Sequence, residues 1–195
     1  MKRATFIKGC LTATTAFVAP LQFFGRSFDR KRVKTGIQVS AGEDRFGKPL
    51  SPFEGDKFFC KVSSKDTAGD LYIFDSTRLH EGGPPLHVHP DQDEWWYIIS
   101  GEYMVKVGDE IYHTKAGDCV FGPRGVPHTF AKVGEVESKL IMLFQPAGKM
   151  EEYFEAAAAG KVAKMSAEKQ AEFRKQHGFV HVGPPLTNWK KPVSQ

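Results

Sequence analysis

The stretch that decides the fold is GGPPLHVHPDQDEWWYIISG, residues 82–101. It holds two histidines one residue apart, His87 and His89, and a carboxylate follows at Glu94. Because successive side chains of a β-strand point to opposite faces, the two histidines share a face and stand about 7 Å apart. The residues between His89 and Glu94 have the composition of a turn, so Glu94 stands where the next strand starts. The stretch therefore predicts a strand–turn–strand unit that gathers two imidazoles and one carboxylate.

A second stretch, GDCVFGPRGVPHTF at residues 117–130, supplies a further imidazole. Pro123, Gly125 and Pro127 favour a tight turn, after which His128 opens a new strand. Three imidazoles and one carboxylate suit a divalent transition metal such as Fe, Mn, Ni, Cu or Zn. We therefore predict one metal ion held by four residues, which are His87, His89, Glu94 and His128.

The first stretch resembles the first motif of the cupin family, whose members are small β-barrels with a metal inside. That motif places a glycine, an HxH pair, a glutamate and a second glycine at fixed spacings. His87, His89, Glu94 and Gly101 match it, while Gly82 stands one residue nearer to the histidines than the usual glycine.

The second stretch resembles the second cupin motif. Gly117, Pro123, Gly125 and His128 match it, and Lys132 stands where the motif has asparagine. That asparagine is not a ligand, so the departure concerns support of the turn more than metal binding. The other histidines of the chain lack such a context and are expected to be polar surface residues.

The sequence around both motifs predicts an all-β fold. Nine strand-like runs between residues 58 and 144 alternate with turns rich in glycine, proline and aspartate. The resemblance implies a single cupin (jelly-roll) β-barrel, which we place at residues 45–147. Helical spacing at residues 149–159 and 166–176 predicts a short C-terminal helical extension, so residues 148–195 are assigned to helices and a polar tail.

The positive net charge of the chain, +4 over 195 residues, belongs to its beginning. Residues 1–35 contain eight basic residues and one acidic residue, whereas the remainder has 22 acidic and 19 basic residues. This distribution argues against nucleic-acid binding. Residues 1–25 have a basic start and a short apolar run, which is typical of an export signal to the periplasm, and residues 26–44 form a basic linker. The alternative is a basic terminus on a cytoplasmic protein, and no apolar run is long enough for a membrane span in the mature protein.

Strand parity also predicts which residues lie around the metal. Trp96 and Ile98 share a face with Glu94, and Phe130 shares a face with His128. These three side chains line either a substrate pocket or the barrel core. An aromatic pocket would suit a flat or hydrophobic small-molecule substrate.

The C-terminal segment HGFVHVGPPL, residues 177–186, is similar to the tail of quercetin 2,3-dioxygenase-like cupins. This resemblance implies O2-dependent cleavage of a flavonol or a related enol, with Glu94 as both metal ligand and proton acceptor. Two alternatives stay open. One is a metal-dependent isomerase or hydrolase of a sugar-derived metabolite, and the other is a non-catalytic protein that binds a small ligand. The family resemblance also implies a homodimer formed through outer strands.

Overall fold

The structure is a computed structural model that describes residues 31–187. The predicted export signal at residues 1–25, the first part of the predicted linker and the last eight residues lie outside the described residues. Within the described part, residues 31–49 form neither a helix nor a strand.

Within residues 31–187, ten strands form two antiparallel five-stranded sheets. The first nine are β1 (Asp56–Val62), β2 (Tyr72–Arg78), β3 (Pro85–Val88), β4 (Asp93–Ser100), β5 (Glu102–Val107), β6 (Glu110–Lys115), β7 (Cys119–Gly122), β8 (His128–Val133) and β9 (Ser138–Gln145). The tenth, β10, spans Val180–Pro185. One sheet has the order β1-β2-β9-β4-β7 and the other β10-β3-β8-β5-β6. This arrangement confirms the predicted all-β jelly roll, with strands close to all nine predicted runs.

Alternation along the strands builds the core between the two sheets. In β2, every second residue is buried, beginning with Tyr72 and Phe74. Phe58 from β1 stacks on Phe74 with a centroid distance of 4.4 Å, and Phe144 from β9 lies 6.2 Å from the same ring. Among residues 31–187, six of the eleven phenylalanines are buried, and four of these six lie on barrel strands.

The predicted C-terminal extension is present as two helices and a short turn of 3₁₀-helix. Helix α1 spans Met150–Ala158 and α2 spans Ala167–Gln176, with the 3₁₀-helix Val162–Lys164 between them. Ser166 caps α2 by accepting a hydrogen bond from the Lys169 backbone N–H. The prediction of a polar tail after α2 is wrong for part of its length, because Val180–Pro185 forms β10 and pairs with β3.

A buried carboxylate fastens α1 to the barrel. Glu151, on the first turn of the helix, accepts hydrogen bonds from the Ser63 hydroxyl at 2.8 Å and from the Ser64 backbone N–H at 2.9 Å. Tyr153 and Phe154 follow on the same helix and are buried against the barrel core. The extension is therefore packed as part of the domain. Over residues 31–187, no helix is long and apolar enough to cross a membrane.

Candidate metal centre

The four predicted ligands meet at the interface between the two sheets. His87 on β3 lies directly opposite His128 on β8 in one sheet, and Glu94 comes from β4 in the other sheet. His89 follows β3 by one residue and, like the other three, is buried. The predicted parity is correct, since Val88 between the histidines is more exposed than either of them.

The donor atoms surround the Oε2 atom of Glu94. The Nε2 atoms of His128, His89 and His87 lie 3.0, 3.5 and 3.7 Å from that oxygen. One donor atom from each of the four residues lies within 4.8 Å of the others. A transition-metal ion about 2.0–2.2 Å from each donor can reach all four after shifts of a few tenths of an ångström.

Backbone carbonyls fix the orientation of two of the imidazoles. The Nδ1–H of His87 donates to the Pro85 carbonyl at 2.8 Å, and the Nδ1–H of His128 donates to the Val126 carbonyl at 3.0 Å. Each of these rings therefore presents the lone pair of Nε2 to the cluster. Two lone-pair-bearing atoms only 3.0 Å apart, Nε2 of His128 and Oε2 of Glu94, are suited to a shared cation.

The electrostatics of the cluster also fit a metal ion. Burial opposes ionisation of Glu94, but the neighbouring imidazoles of His128, His87 and His89 outweigh it and hold the pKa of the carboxyl well below its usual range. Burial lowers the pKa of His89 despite the neighbouring Glu94, so this ring is neutral at pH 7. Both ring nitrogens of His89 are buried without a hydrogen-bond partner. An anionic carboxylate beside neutral imidazoles is the protonation state that a metal needs.

The turn predicted from the second motif holds the first motif in place. The Gly125 backbone N–H donates to the His89 carbonyl at 2.8 Å, and Gly125 has the positive φ of 75° that glycine adopts readily. Arg124, next to it, forms two side-chain hydrogen bonds with Asp93, at 3.1 and 2.6 Å. These bonds lower the pKa of Asp93. Because Asp93 directly precedes Glu94, they also fix the start of β4 at the metal ligand.

A cavity of about 360 Å³ adjoins the cluster. Much of its wall is aromatic or aliphatic, with Phe130, Phe144 and Met142 from the barrel and Tyr153 and Phe179 from the C-terminal extension. The Phe179 ring stacks on His89 with a centroid distance of 5.4 Å and an interplanar angle of 26°. A cavity of this size lies near the lower end of the range found for small-molecule sites.

The three residues that strand parity placed around the metal occupy two different environments in the structure. Phe130 lines the cavity. Trp96 and Ile98 are completely buried in the core, which is the second of the two positions that parity left open, and they do not line the cavity. Trp96 makes a T-shaped contact with the ring of His128 at a centroid distance of 5.3 Å, and therefore helps to hold that ligand in place.

His80 and His181, which we expected to be surface residues, are exposed and line the cavity. His181 lies directly opposite His87 in the pairing of β10 with β3. Only a strand predicted at residues 180–185 would have placed His181 at the cavity. Gly183 and the two prolines after it argue against a strand in the sequence. Lys132, which replaces the motif asparagine, is fully buried. Its Nζ donates to the Gly134 carbonyl and so supports the β8–β9 turn.

Comparison with known proteins agrees with this geometry. Residues 77–144 match the family model described as a cupin domain. The chain is 30% identical to an uncharacterised protein of Methanocaldococcus jannaschii over 61 residues, which is 31% of this chain and 49% of that protein. It is also 30% identical to protein SchB of Streptomyces halstedii over 60 residues, 31% of this chain and 44% of that protein. The chain thus spans about half the length of the curated relatives it matches.

Among solved structures, KdgF from Halomonas sp. superposes with a TM-score of 0.49 at 20% sequence identity. The superposition covers 57% of this chain and 94% of KdgF. The segment that matches the cupin family model, residues 77–144, contains all four residues of the metal-ligand cluster. Residues 77–144 of this protein are thus similar to a cupin domain, and the chain has a jelly-roll fold.

Proposed function

We propose that this protein is a metal-dependent dioxygenase that acts on a flavonol-like or other enolic or aromatic small molecule. The observation that carries the proposal is the His₃Glu cluster beside an aromatic-lined cavity. The cavity supplies an apolar surface for a flat substrate, and the cluster supplies a metal site at one end of it. A dioxygenase places both atoms of O2 in its product, so no external reductant is required.

Each residue of the cluster has a defined role in this proposal. His87, His89 and His128 hold the ion, and Glu94 is a fourth ligand. A metal held by these residues would supply Lewis-acid chemistry that lowers the pKa of a substrate hydroxyl and prepares it for reaction with O2. Glu94, ionised at neutral pH, lies beside that position and accepts the hydroxyl proton. Phe130 and Phe179 orient the substrate ring and keep water from it.

The test is O2 uptake by protein reconstituted anaerobically with Fe(II), Mn(II), Ni(II) or Cu(II), with quercetin as the first substrate. We expect uptake that requires both the metal and the flavonol and that is lost in Glu94→Gln. Glu54→Gln, which changes an exposed carboxylate at the cavity mouth, is the matched control and should retain uptake. Absence of uptake with every ion, in protein shown to contain metal, would contradict the proposal.

A second candidate is a metal-dependent isomerase or hydrolase of a sugar-derived molecule. Several polar groups in the cavity wall favour it, because Asp56, Arg78 and His80 could bind a hydroxylated substrate. This activity would proceed without O2. A third candidate is a protein that binds a small ligand without converting it, and saturable binding without turnover in metal-loaded protein would support that candidate.

We further propose that the protein is exported to the periplasm and forms a homodimer. The basic and apolar pattern of residues 1–25 supports export, and the location of the protein in fractionated cells tests it. On the outer face of one sheet, Tyr97, Ile99 and Phe121 are exposed, which supports association through these strands. Sedimentation of wild type and Phe121→Lys would show a dimer and a monomer, respectively.

A further inference from the structure

One buried cation lies in the cavity outside the metal-ligand cluster. Arg78 is the last residue of β2, its side chain is only 8% exposed, and it lines the cavity. Within residues 31–187, it is the only arginine or lysine in the cavity wall. A buried arginine needs partners for its five N–H groups, so its contacts indicate whether it serves only the fold.

The partners found for the guanidinium leave part of it free. Its Nη1 lies 2.9 Å from Oδ2 of Asp56, while its Nε is buried without a hydrogen-bond partner. The guanidinium carbon lies 4.6 Å from the centroid of the Phe130 ring and 5.8 Å from that of Phe58. Arg78 is thus held by one carboxylate and two aromatic faces, and retains hydrogen-bonding capacity.

Phe130 connects Arg78 to the metal-ligand cluster. Phe130 follows His128 by two residues on β8, which is a distance of about 7 Å along the strand. Both residues are buried, and Arg78 lies over the Phe130 ring. A ligand lying along Phe130 can therefore contact the cluster at one end and Arg78 at the other.

The charges around the cavity favour an anion at this place. Glu54, Glu81 and His80 line the mouth but are exposed, so solvent screens them. The buried charges are Asp56, Arg78 and Glu94, which together with a divalent ion leave one uncompensated positive charge. Asp56 pairs with Arg78 through one oxygen at 2.9 Å, so an anionic group of a ligand would compensate the remaining positive charge.

We infer that Arg78 binds the carboxylate of a small aromatic or enolic acid whose hydroxyl oxygen lies at the His₃Glu cluster. A guanidinium fits a planar carboxylate, and burial strengthens that pairing. The inference rests on the proposed function only in using the same site, and it narrows the substrate from flavonols in general to smaller acidic molecules. It requires no step with O2.

The test is calorimetric titration under anaerobic conditions of full-length protein loaded with Zn(II), which supports no turnover. The probes are 3,4-dihydroxybenzoate and 3,4-dihydroxybenzamide, which offer the same pair of hydroxyls and differ in the negative charge. A charge-assisted hydrogen bond predicts about tenfold tighter binding of the acid by the wild type. In Arg78→Gln the acid and the amide should bind equally, with the affinity for the amide unchanged.

Two further variants distinguish the loss of a carboxylate contact from a folding defect caused by the substitution. Asp56→Asn/Arg78→Gln removes both charges, so neither is left buried alone, and it should also bind the acid and the amide equally. Arg45→Gln breaks the ion pair with Asp66 outside the cavity and should keep the tenfold preference. Equal binding of the two probes by the wild type, survival of the preference in the double variant, or binding of neither probe would overturn the inference. If the protein prefers the acid but shows no O2 uptake, the proposed dioxygenase function is rejected, whereas carboxylate binding by Arg78 is retained.

Discussion

The metal-ligand cluster and the opposite wall of the cavity are built in different ways. The cluster comes from two short stretches of sequence, with His87, His89 and Glu94 within eight residues of one another. The opposite wall includes Tyr153 and Phe154 of the C-terminal extension, which reach the cavity because α1 packs back onto the barrel. Local geometry therefore determines the metal site, whereas distant packing determines the shape of the space beside it.

We therefore expect substitutions in the cluster to weaken metal binding and substitutions in the opposite wall to reduce stability. The largest of these effects should be the loss of metal affinity when a metal ligand is removed. His128→Ala should weaken metal binding by more than about 100-fold, since even residues that only support ligands are worth 10–100-fold. His113→Ala, which changes an exposed histidine on β6, should leave the affinity unchanged. Competition against a chelator measures both values. Equal affinities in the two variants would show that the cluster is not the metal site.

Truncation of the opposite wall should reduce stability and spare the metal. Phe154 is 6% exposed and its ring contacts those of Phe58 and Phe74. Phe154→Ala should lower the free energy of unfolding by about 3–5 kcal/mol. Phe121→Ala, at a ring that is 56% exposed, should change it by less than about 0.5 kcal/mol. Urea unfolding gives both values, and a loss of metal affinity in Phe154→Ala would contradict the separation of the two regions.

The hydrogen bonds that attach α1 to the barrel should contribute less to the free energy of unfolding than the aromatic packing of the same helix. Glu151→Gln replaces a buried acceptor of hydrogen bonds from Ser63 and Ser64 and should cost about 1–3 kcal/mol of unfolding free energy. Glu152→Gln changes the exposed neighbour on the same turn and serves as the control. If the two variants were equally stable, the buried carboxylate would not fasten the extension to the barrel.

The smallest effect concerns the pH dependence of a thiol in the same part of the core. Burial, followed by the charges of Glu151, Asp44 and Asp66, raises the pKa of Cys60 to about 12. In Cys10→Ser/Cys119→Ser, the alkylation rate of Cys60 should rise about tenfold per pH unit from pH 7 to pH 10, because its thiolate stays scarce over that range. An ordinary thiol such as glutathione levels off above about pH 8.5. A plateau for Cys60 near that pH would show that it is not shielded by the barrel.

Sequence reasoning succeeded where short-range geometry is decisive. The positions of His87 and His89 follow from strand parity, and a glycine-containing turn positions His128. It left the positions of Trp96 and Ile98 open between core and cavity, because parity tells which face a side chain occupies but not what lies beneath that face. His181 was missed for another reason, since its place opposite His87 depends on a strand that returns from the far end of the chain.

The central claim is that the His₃Glu cluster holds one divalent metal ion. X-ray absorption of protein loaded with one equivalent of Zn(II) tests it most directly, because imidazole rings and sulfur scatter differently. We expect saturation at one ion per chain, with nitrogen and oxygen ligands at about 2.0–2.2 Å and the outer-shell signal of three imidazoles. Sulfur at about 2.3 Å, which would implicate a cysteine such as the exposed Cys119, or the absence of the imidazole signal would contradict it.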